Sequence, residues 1–132
     1  MNALEWLAAS ALMTALLWVP YVLERMVALG MMGAMKPVGV TELARQAVWA
    51  QRARSAHYNA VENLAVFATL LLVAEAMGEA DNSQMVLAAQ IYFWARLVHF
   101  PAMAFGIPGV RTTAFLVGFG AQIFVALRIF GM

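Results

Sequence analysis

Cysteine is absent from this sequence, and charged residues are scarce. Among its 132 residues there is no cysteine, and 11% are Asp, Glu, Lys or Arg, against roughly 25% in ordinary soluble domains. The absence of cysteine excludes disulfide bonds, thiolate metal sites and a cysteine nucleophile. A formal net charge of +1 argues against broad nucleic-acid binding, because such binding needs clustered Lys and Arg on a solvated face.

Apolar residues are abundant instead. The chain is 64% hydrophobic, with a mean hydropathy of +0.79. A membrane crossing takes about 20 apolar residues, so this length accommodates four crossings with short connections and no separate soluble domain. We therefore predict an all-α integral membrane protein, a four-transmembrane-helix bundle forming a single domain over residues 1–132, with lipid around it.

Glycine and proline divide the chain into four apolar segments. Three stretches rich in these residues are predicted turns: residues 30–40, 78–83 and 106–109. They separate four predicted helices, at about residues 3–32, 41–77, 83–105 and 110–130. Pro20 predicts a kink in the first helix. Thr41 is the predicted N-cap of the second helix, with Glu42 at the positive end of its dipole.

Lysine and arginine are distributed unevenly between the two predicted sides of the bundle. The first and third loops, with their flanks, hold Arg25, Lys36, Arg45, Arg52, Arg54 and Arg111. The opposite side holds Arg128 together with several acidic residues. The positive-inside rule therefore predicts that loops one and three are cytoplasmic and that both termini lie outside.

Four polar residues share one face of the predicted second helix. They fall at offsets 0, 3, 7 and 10, the spacing of a single helical stripe: Arg52, Ser55, Asn59 and Glu62. An acidic side chain at the centre of a membrane helix costs roughly 2.5–3.5 kcal/mol on insertion scales. Glu62 is therefore expected to point into the bundle or a wet cavity and to pair with an arginine.

Polar groups on the other helices are predicted to meet this stripe. Arg96 and His99 lie three residues apart on helix three, and Arg111 begins helix four at about the same depth. Arginine binds carboxylates in a bidentate way, Asn59 matches a peptide amide, and Glu62 can bind an ammonium group. These polar residues together suit an anion that resembles an amino acid or a peptide. Apolar walls around them would admit a lipophilic second substrate. If the ligand carried a thiol, a nearby arginine would stabilise the thiolate.

Other roles for these residues remain open at this point. Glu62 and Arg96 could neutralise one another and hold the helices together without any ligand. No metal site is predicted, because neither His57 nor His99 has a second ligand four residues away. A proton-coupled drug exporter usually needs a lone acidic residue in its first helix, whereas Glu62 lies among arginines on the second.

Three segments resemble, in order, motifs of the MAPEG family, the membrane-associated proteins of eicosanoid and glutathione metabolism. RARSAHYNAVENL at residues 52–64 resembles the second-helix signature, FWARLVH at 93–99 the third helix, and GVRTT at 109–113 the start of the fourth. The resemblance covers essentially the whole chain. It is closer to the bacterial members and so implies a bacterial cytoplasmic membrane.

The resemblance implies a homotrimer of four-helix bundles, with glutathione bound between neighbouring subunits towards the cytoplasmic side. Members of the family conjugate glutathione to lipophilic electrophiles, reduce lipid hydroperoxides or isomerise prostaglandin endoperoxides, and some are not catalytic. For this chain it implies a glutathione-dependent transferase or peroxidase. The alternative is a non-catalytic trimeric membrane module that binds another small anion, a lipid or a partner helix.

The family's functional residues map onto three helices of this chain. The resemblance implies these residues for binding glutathione: Arg52, Ser55, His57, Asn59, Glu62, Arg96, His99 and Thr112. Arg111 would be the catalytic residue that stabilises the thiolate, and Asn59 and Glu62 would bind the glutathione backbone. Thr112 stands where one branch has a serine beside the sulfur. His57 lies where the family can contact the ligand of the neighbouring subunit.

The chain departs from the eicosanoid enzymes at three positions. Ser55 replaces an arginine that binds a glutathione carboxylate, and Met103 and Phe115 replace tyrosines. Arg54 is no direct substitute for the lost arginine, because adjacent residues lie about 100° apart round a helix. Each lost hydrogen bond is worth about 0.5–3 kcal/mol. We therefore predict weaker glutathione binding and no role in eicosanoid synthesis.

Overall fold

A computed structural model of the chain describes residues 1–37, 39 and 44–132. Five α-helices lie wholly within this part of the chain: α1 (Ala3–Leu16), α2 (Trp18–Ala34), α3 (Val48–Ala76), α4 (Ser83–Ala104) and α5 (Pro108–Ile129). Since α1 and α2 are the two halves of the first long helix, they form a four-helix bundle with α3, α4 and α5. This confirms the predicted fold class.

The bundle has the length and composition of an integral membrane protein. Within the described part of the chain, three segments are long and apolar enough to cross a bilayer: Ala3–Ala34, Val48–Ala76 and Pro108–Ile129. Helix α4 carries Arg96 and His99, and both residues are buried. Large apolar side chains such as Leu12, Val27 and Leu72 cover the outside. The outer surface is therefore suited to contact with lipid.

The first long helix is interrupted where a proline requires it. Proline lacks an amide hydrogen, and its ring clashes with the carbonyl four residues earlier. For Pro20 that carbonyl belongs to Leu16, the last residue of α1, and Leu17 separates the two helices. A second interruption lies inside α2 at Gly30, whose φ of 73° is outside the helical region. This glycine begins the stretch predicted as the first loop.

Helix α3 begins at Val48, about seven residues later than the predicted start of the second helix. A carboxylate from α2 satisfies the polar groups just before it: Glu24 accepts hydrogen bonds from the amide of Ala47, at 3.0 Å, and from Nε2 of Gln46, at 2.9 Å. A negative charge near a helix N-terminus is favourable. The start of α3 is thus fixed by contact with another helix. The predicted cap, Thr41 with Glu42, lies outside the described residues.

The apolar core occupies one half of the bundle, near the turn between α3 and α4. Phe67 of α3 and Tyr92 of α4 stack with their ring centroids 3.9 Å apart. Val125 of α5 and Leu7 of α1 belong to the same buried cluster. Towards its other end, α3 buries four alanines that permit close packing: Ala50, Ala53, Ala56 and Ala60. The polar side chains Asn59, His99 and Arg111 of α3, α4 and α5 meet in this second half of the bundle, away from the apolar core.

Candidate functional site

A polar cavity of about 210 Å³ lies between α3, α4 and α5. Six residues line it: Asn59, His99, Met103, Arg111, Thr112 and Phe115. Asn59 comes from the middle of α3, His99 from the second half of α4, and Arg111 from the first turn of α5. Three residues predicted to share a site therefore line the same cavity.

Asn59 is held in one orientation by Arg96. The Nη2 group of Arg96 donates a hydrogen bond to Oδ1 of Asn59 at 2.5 Å, and the arginine side chain is only 2% exposed. Because guanidinium can only donate, the oxygen of the Asn59 amide must face Arg96. The two hydrogens of its Nδ2 group remain able to donate to a ligand. Arg96, predicted to contribute to binding, does not line the cavity and instead positions Asn59.

Two amide side chains continue this network away from the cavity. Nε2 of Gln122 in α5 donates to Oδ1 of Asn63 at 3.1 Å, and Nδ2 of Asn63 donates to the carbonyl of Asn59 at 2.8 Å. Gln122 is 5% exposed. Neither residue was predicted as part of the site. The available signal was Gln122 itself, a polar residue within the uncharged stretch between Arg111 and Arg128, since polar groups inside membrane helices usually face polar partners.

His99 contributes a hydrogen-bonding ring to the wall of the cavity. The side chain is 3% exposed, and its Nδ1 has no hydrogen-bond partner among residues 1–37, 39 and 44–132. A buried polar atom without a partner costs free energy. The ring centroid lies 6.1 Å from that of Phe115. The imidazole therefore offers an unused polar atom that a ligand or a water molecule could satisfy.

Arg111 makes one wall of the cavity electropositive. It lies in the first turn of α5, where the N-cap residue Ile107 makes no side-chain hydrogen bond and no acidic residue is present. The N-terminal end of a helix carries partial positive charge and attracts anions. The full charge of Arg111 adds to this partial charge. A carboxylate or a thiolate in the cavity would be stabilised by both.

Two predicted binding residues lie beside the cavity rather than in its wall. Ser55 and Glu62 come about one turn before and one turn after Asn59, and both are exposed. Glu62, expected to point into the bundle and to pair with an arginine, is thus on the surface of the single chain. Sites for small molecules usually measure about 300–1,000 Å³, which exceeds the 210 Å³ found here. The cavity of the single chain is therefore smaller than the usual site for a small molecule.

Arg52, predicted to bind glutathione, lies against the turn between α4 and α5. A Cβ atom built on Gly106 would come within 2.5 Å of its Nη1 atom, and Gly106 has a φ of +67°. This glycine thus gives the guanidinium the space to rest on the turn that leads to Arg111. The contact connects the start of α3 with the start of α5.

Replacing Gly106 by alanine is expected to destabilise the protein and to displace Arg52. Gly78→Ala is a matched control, since Gly78 has a φ of +77° but no atom within 4 Å of the added Cβ. Both variants pay the left-handed backbone cost of about 1–2 kcal/mol. Thermal unfolding in detergent should show a larger loss for Gly106→Ala. Equal losses of thermal stability in the two variants would show that the contact between Arg52 and Gly106 does not contribute to stability.

His57 lies on a different face of α3, towards α2. Its Nδ1 forms a hydrogen bond of 2.7 Å with the hydroxyl of Tyr21. Arg54 lies near it and donates through Nε and Nη2 to the hydroxyl of Tyr58, at 3.1 and 2.9 Å. None of these four side chains lines the cavity around Asn59. In the part of the chain that the structure describes, no three His, Asp or Glu residues are grouped as a metal site requires.

Comparison with known proteins gives one result. The sequence model of the MAPEG family matches residues 3–131, which include all five helices and every residue that lines the cavity. No curated protein and no solved structure matches the chain. The family match agrees with the resemblance seen in the three motifs and with the helical membrane bundle. The chain belongs to the MAPEG family, a family of membrane proteins associated with glutathione and eicosanoid metabolism.

Proposed function

We propose that this protein is a membrane glutathione-dependent transferase or peroxidase that acts on lipophilic electrophiles or hydroperoxides. The observation that carries the proposal is the cavity between α3, α4 and α5, whose lining includes Asn59, His99 and Arg111. It combines an amide, an imidazole and a guanidinium group with no carboxylate among its lining residues. Such a set is complementary to an anionic peptide.

Each of these residues has a role that follows from its surroundings. The thiol of glutathione supplies the nucleophile as its thiolate, and Arg111 with the uncapped start of α5 stabilises that negative charge. Asn59, oriented by Arg96, donates its free amide hydrogens to a carbonyl or carboxylate of the peptide. His99 supplies a further hydrogen bond from α4. Thr112 adds a hydroxyl beside Arg111.

A homotrimer would complete the site. The cavity in one chain is small for a tripeptide, and Ser55 and Glu62 are exposed beside it. A neighbouring subunit packed on this face would enclose the ligand and give Glu62 a partner, which lowers the cost of a carboxylate in a membrane helix. His57, on the face of α3 towards α2, would approach the ligand of the adjacent subunit. The proposed orientation places this site on the cytoplasmic side.

A lipophilic substrate would reach the site from the bilayer. An apolar groove of about 680 Å³ runs along α4 and α5 and is lined by residues such as Trp94, Val98 and Val110. Val110 precedes Arg111 in the first turn of α5, so the groove and the polar cavity meet at the same helix start. The groove would hold the apolar body of an electrophile while the thiolate is held by Arg111.

A non-catalytic trimeric module is the second candidate. Three observations favour it: Ser55 provides no guanidinium for a carboxylate, and Met103 and Phe115 line the cavity without hydroxyl groups. In that case the polar residues would bind another small anion, a lipid or a partner helix. Glu62→Gln should then destabilise the trimer whether or not glutathione is present, whereas in the enzyme it should mainly weaken glutathione binding.

The proposal is tested by titrating the detergent-purified protein with glutathione while recording thiolate absorbance and binding heat. We expect both signals to saturate together. S-methylglutathione, which has no thiol, should give binding heat without thiolate absorbance. Absence of binding heat at millimolar glutathione would refute the proposal. Binding heat without thiolate would support the non-catalytic module.

A further inference from the structure

Gln122 is a buried polar residue of the apolar helix α5, and it does not line the cavity that holds Arg111. Its side chain is 5% exposed, and its Nε2 group donates to Oδ1 of Asn63 in α3 at 3.1 Å. Gln122 comes eleven residues after Arg111, a rise of about 16 Å along α5. A buried amide inside an apolar helix is costly unless it has a polar partner. The hydrogen bond to Asn63 offsets this cost and joins α5 to α3 away from the cavity.

Asn63 is oriented so that its side-chain oxygen faces α5. Its Nδ2 group donates to the backbone carbonyl of Asn59 at 2.8 Å and to Oδ1 of Asn59 at 3.4 Å. Because the amide nitrogen donates within α3, the amide oxygen is the atom left to accept from Gln122. Both helices lie wholly in the described part of the chain, and this is the only side-chain hydrogen bond between them. It is therefore a directional link between α3 and α5.

Arg111 and Gln122 point in nearly the same direction from the axis of α5. At about 100° per residue, eleven residues make three turns and about 20°. Gly118 lies on the same side, and a Cβ atom built on it would come within 3.4 Å of Cδ of Arg96. This face of α5 therefore rests on the arginine that orients Asn59. A rotation of α5 about its axis would turn Gln122 away from Asn63 and Arg111 away from the cavity at the same time.

We propose that Gln122 is a positioning residue, whose hydrogen bond to Asn63 fixes the rotation of α5 against α3 and so directs Arg111 into the cavity beside Asn59. Apolar contacts along α5 are non-directional and resist rotation of the helix less sharply than a hydrogen bond does. The direction of Arg111 is independent of the ligand. Its effect on a thiolate rests on the proposed function.

The direction of Arg111 is tested first without glutathione. The chain has no cysteine, so Arg111→Cys places a single thiol at the cavity wall. Its rate of modification by a charged, water-soluble methanethiosulfonate reports whether it faces the polar cavity. Adding Gln122→Met, which keeps the side-chain length but cannot donate, should slow the modification. Thr69→Val is the matched control, since Thr69 donates only to the carbonyl of Ala65 within its own helix.

The effect on the thiolate is tested in protein that keeps Arg111, with saturating glutathione and thiolate absorbance recorded against pH. Gln122→Met should raise the midpoint of the thiolate signal by about one pH unit, a tenfold loss of thiolate below the midpoint. Thr69→Val should leave the midpoint unchanged. Binding of S-methylglutathione to Gln122→Met should also be unchanged, because Arg96 still orients Asn59. A general loss of structure would weaken that binding as well.

Asn63→Leu removes the acceptor of the same hydrogen bond from the other helix. It should slow the modification and raise the midpoint as Gln122→Met does, and the double variant should behave like either single variant. Additive effects would overturn the inference. An unchanged modification rate in Gln122→Met, or equal slowing by Thr69→Val, would overturn it as well.

The two measurements distinguish failure of this inference from failure of the proposed function. If Gln122→Met slows the modification but the protein with its natural sequence forms no thiolate, the transferase or peroxidase is refuted and the positioning role of Gln122 stands. If a thiolate forms and its midpoint is the same in Gln122→Met, the positioning role is refuted and the proposed function stands.

Discussion

Replacing Arg111 by alanine is expected to lower kcat for glutathione conjugation by about 10²–10³-fold, the usual cost of removing one group that stabilises developing or resident negative charge in an active site. Arg111 lies in the first turn of α5, and its charge acts together with the partial positive charge of that helix start, whose N-cap residue makes no side-chain hydrogen bond. Without it the described lining of the cavity has no arginine or lysine, so the thiol is expected to stay protonated at neutral pH. The rate with an aryl halide electrophile measures the effect.

Two control variants show whether the lower rate is specific to Arg111 or follows from the loss of any positive charge on α5. Arg128→Ala removes a cation from the other end of the same helix and should leave the rate and the thiolate absorbance unchanged. Arg111→Lys keeps the charge and should restore part of the thiolate signal. If Arg111→Ala binds glutathione and reacts at the normal rate, Arg111 has no catalytic role.

Replacing Asn59 by alanine is expected to abolish detectable glutathione binding and to lower the free energy of unfolding by about 3 kcal/mol. The variant loses an amide donor to the ligand and also leaves the buried guanidinium of Arg96 without its acceptor. Removing one partner of a buried hydrogen bond costs about 1–3 kcal/mol, and more when the other partner is charged. Thermal unfolding in detergent and calorimetric titration measure the two effects.

The double variant Asn59→Ala with Arg96→Met shows whether these two residues act as a pair. Methionine replaces a buried charge by an apolar chain, so the second change should recover part of the stability lost by the first. Glutathione binding should remain absent, because the amide of Asn59 is still missing. Additive losses of stability would contradict the proposed coupling between Arg96 and Asn59.

The membrane bundle and the grouping of the central site residues could be predicted from sequence. Turn-forming glycines and prolines divide the apolar segments, and a spacing of three and four residues places polar side chains on one face of a helix. Asn59, His99 and Arg111 were grouped in this way, from their depth on three successive helices. The structure brings these three side chains to one cavity.

Which polar side chains contact one another in and around the cavity could not be predicted, because these contacts depend on how the helices rotate and pack. Sequence spacing treats Arg96 as a ligand-binding residue, whereas its buried guanidinium donates to Asn59. It likewise expects Glu62 inside the bundle, whereas the single chain exposes it. The start of α3 depends on Glu24, more than twenty residues earlier in the chain. Contacts of this kind leave no periodic signal in the sequence.

The central claim is that glutathione binds in the cavity between α3, α4 and α5. The most direct test is an experimental structure of the protein, in a lipid nanodisc, determined with saturating glutathione. The account predicts density for a tripeptide with its sulfur beside Arg111 and its backbone within hydrogen-bond distance of Asn59. A tripeptide bound elsewhere, or a cavity without one at saturating concentration, would contradict the account.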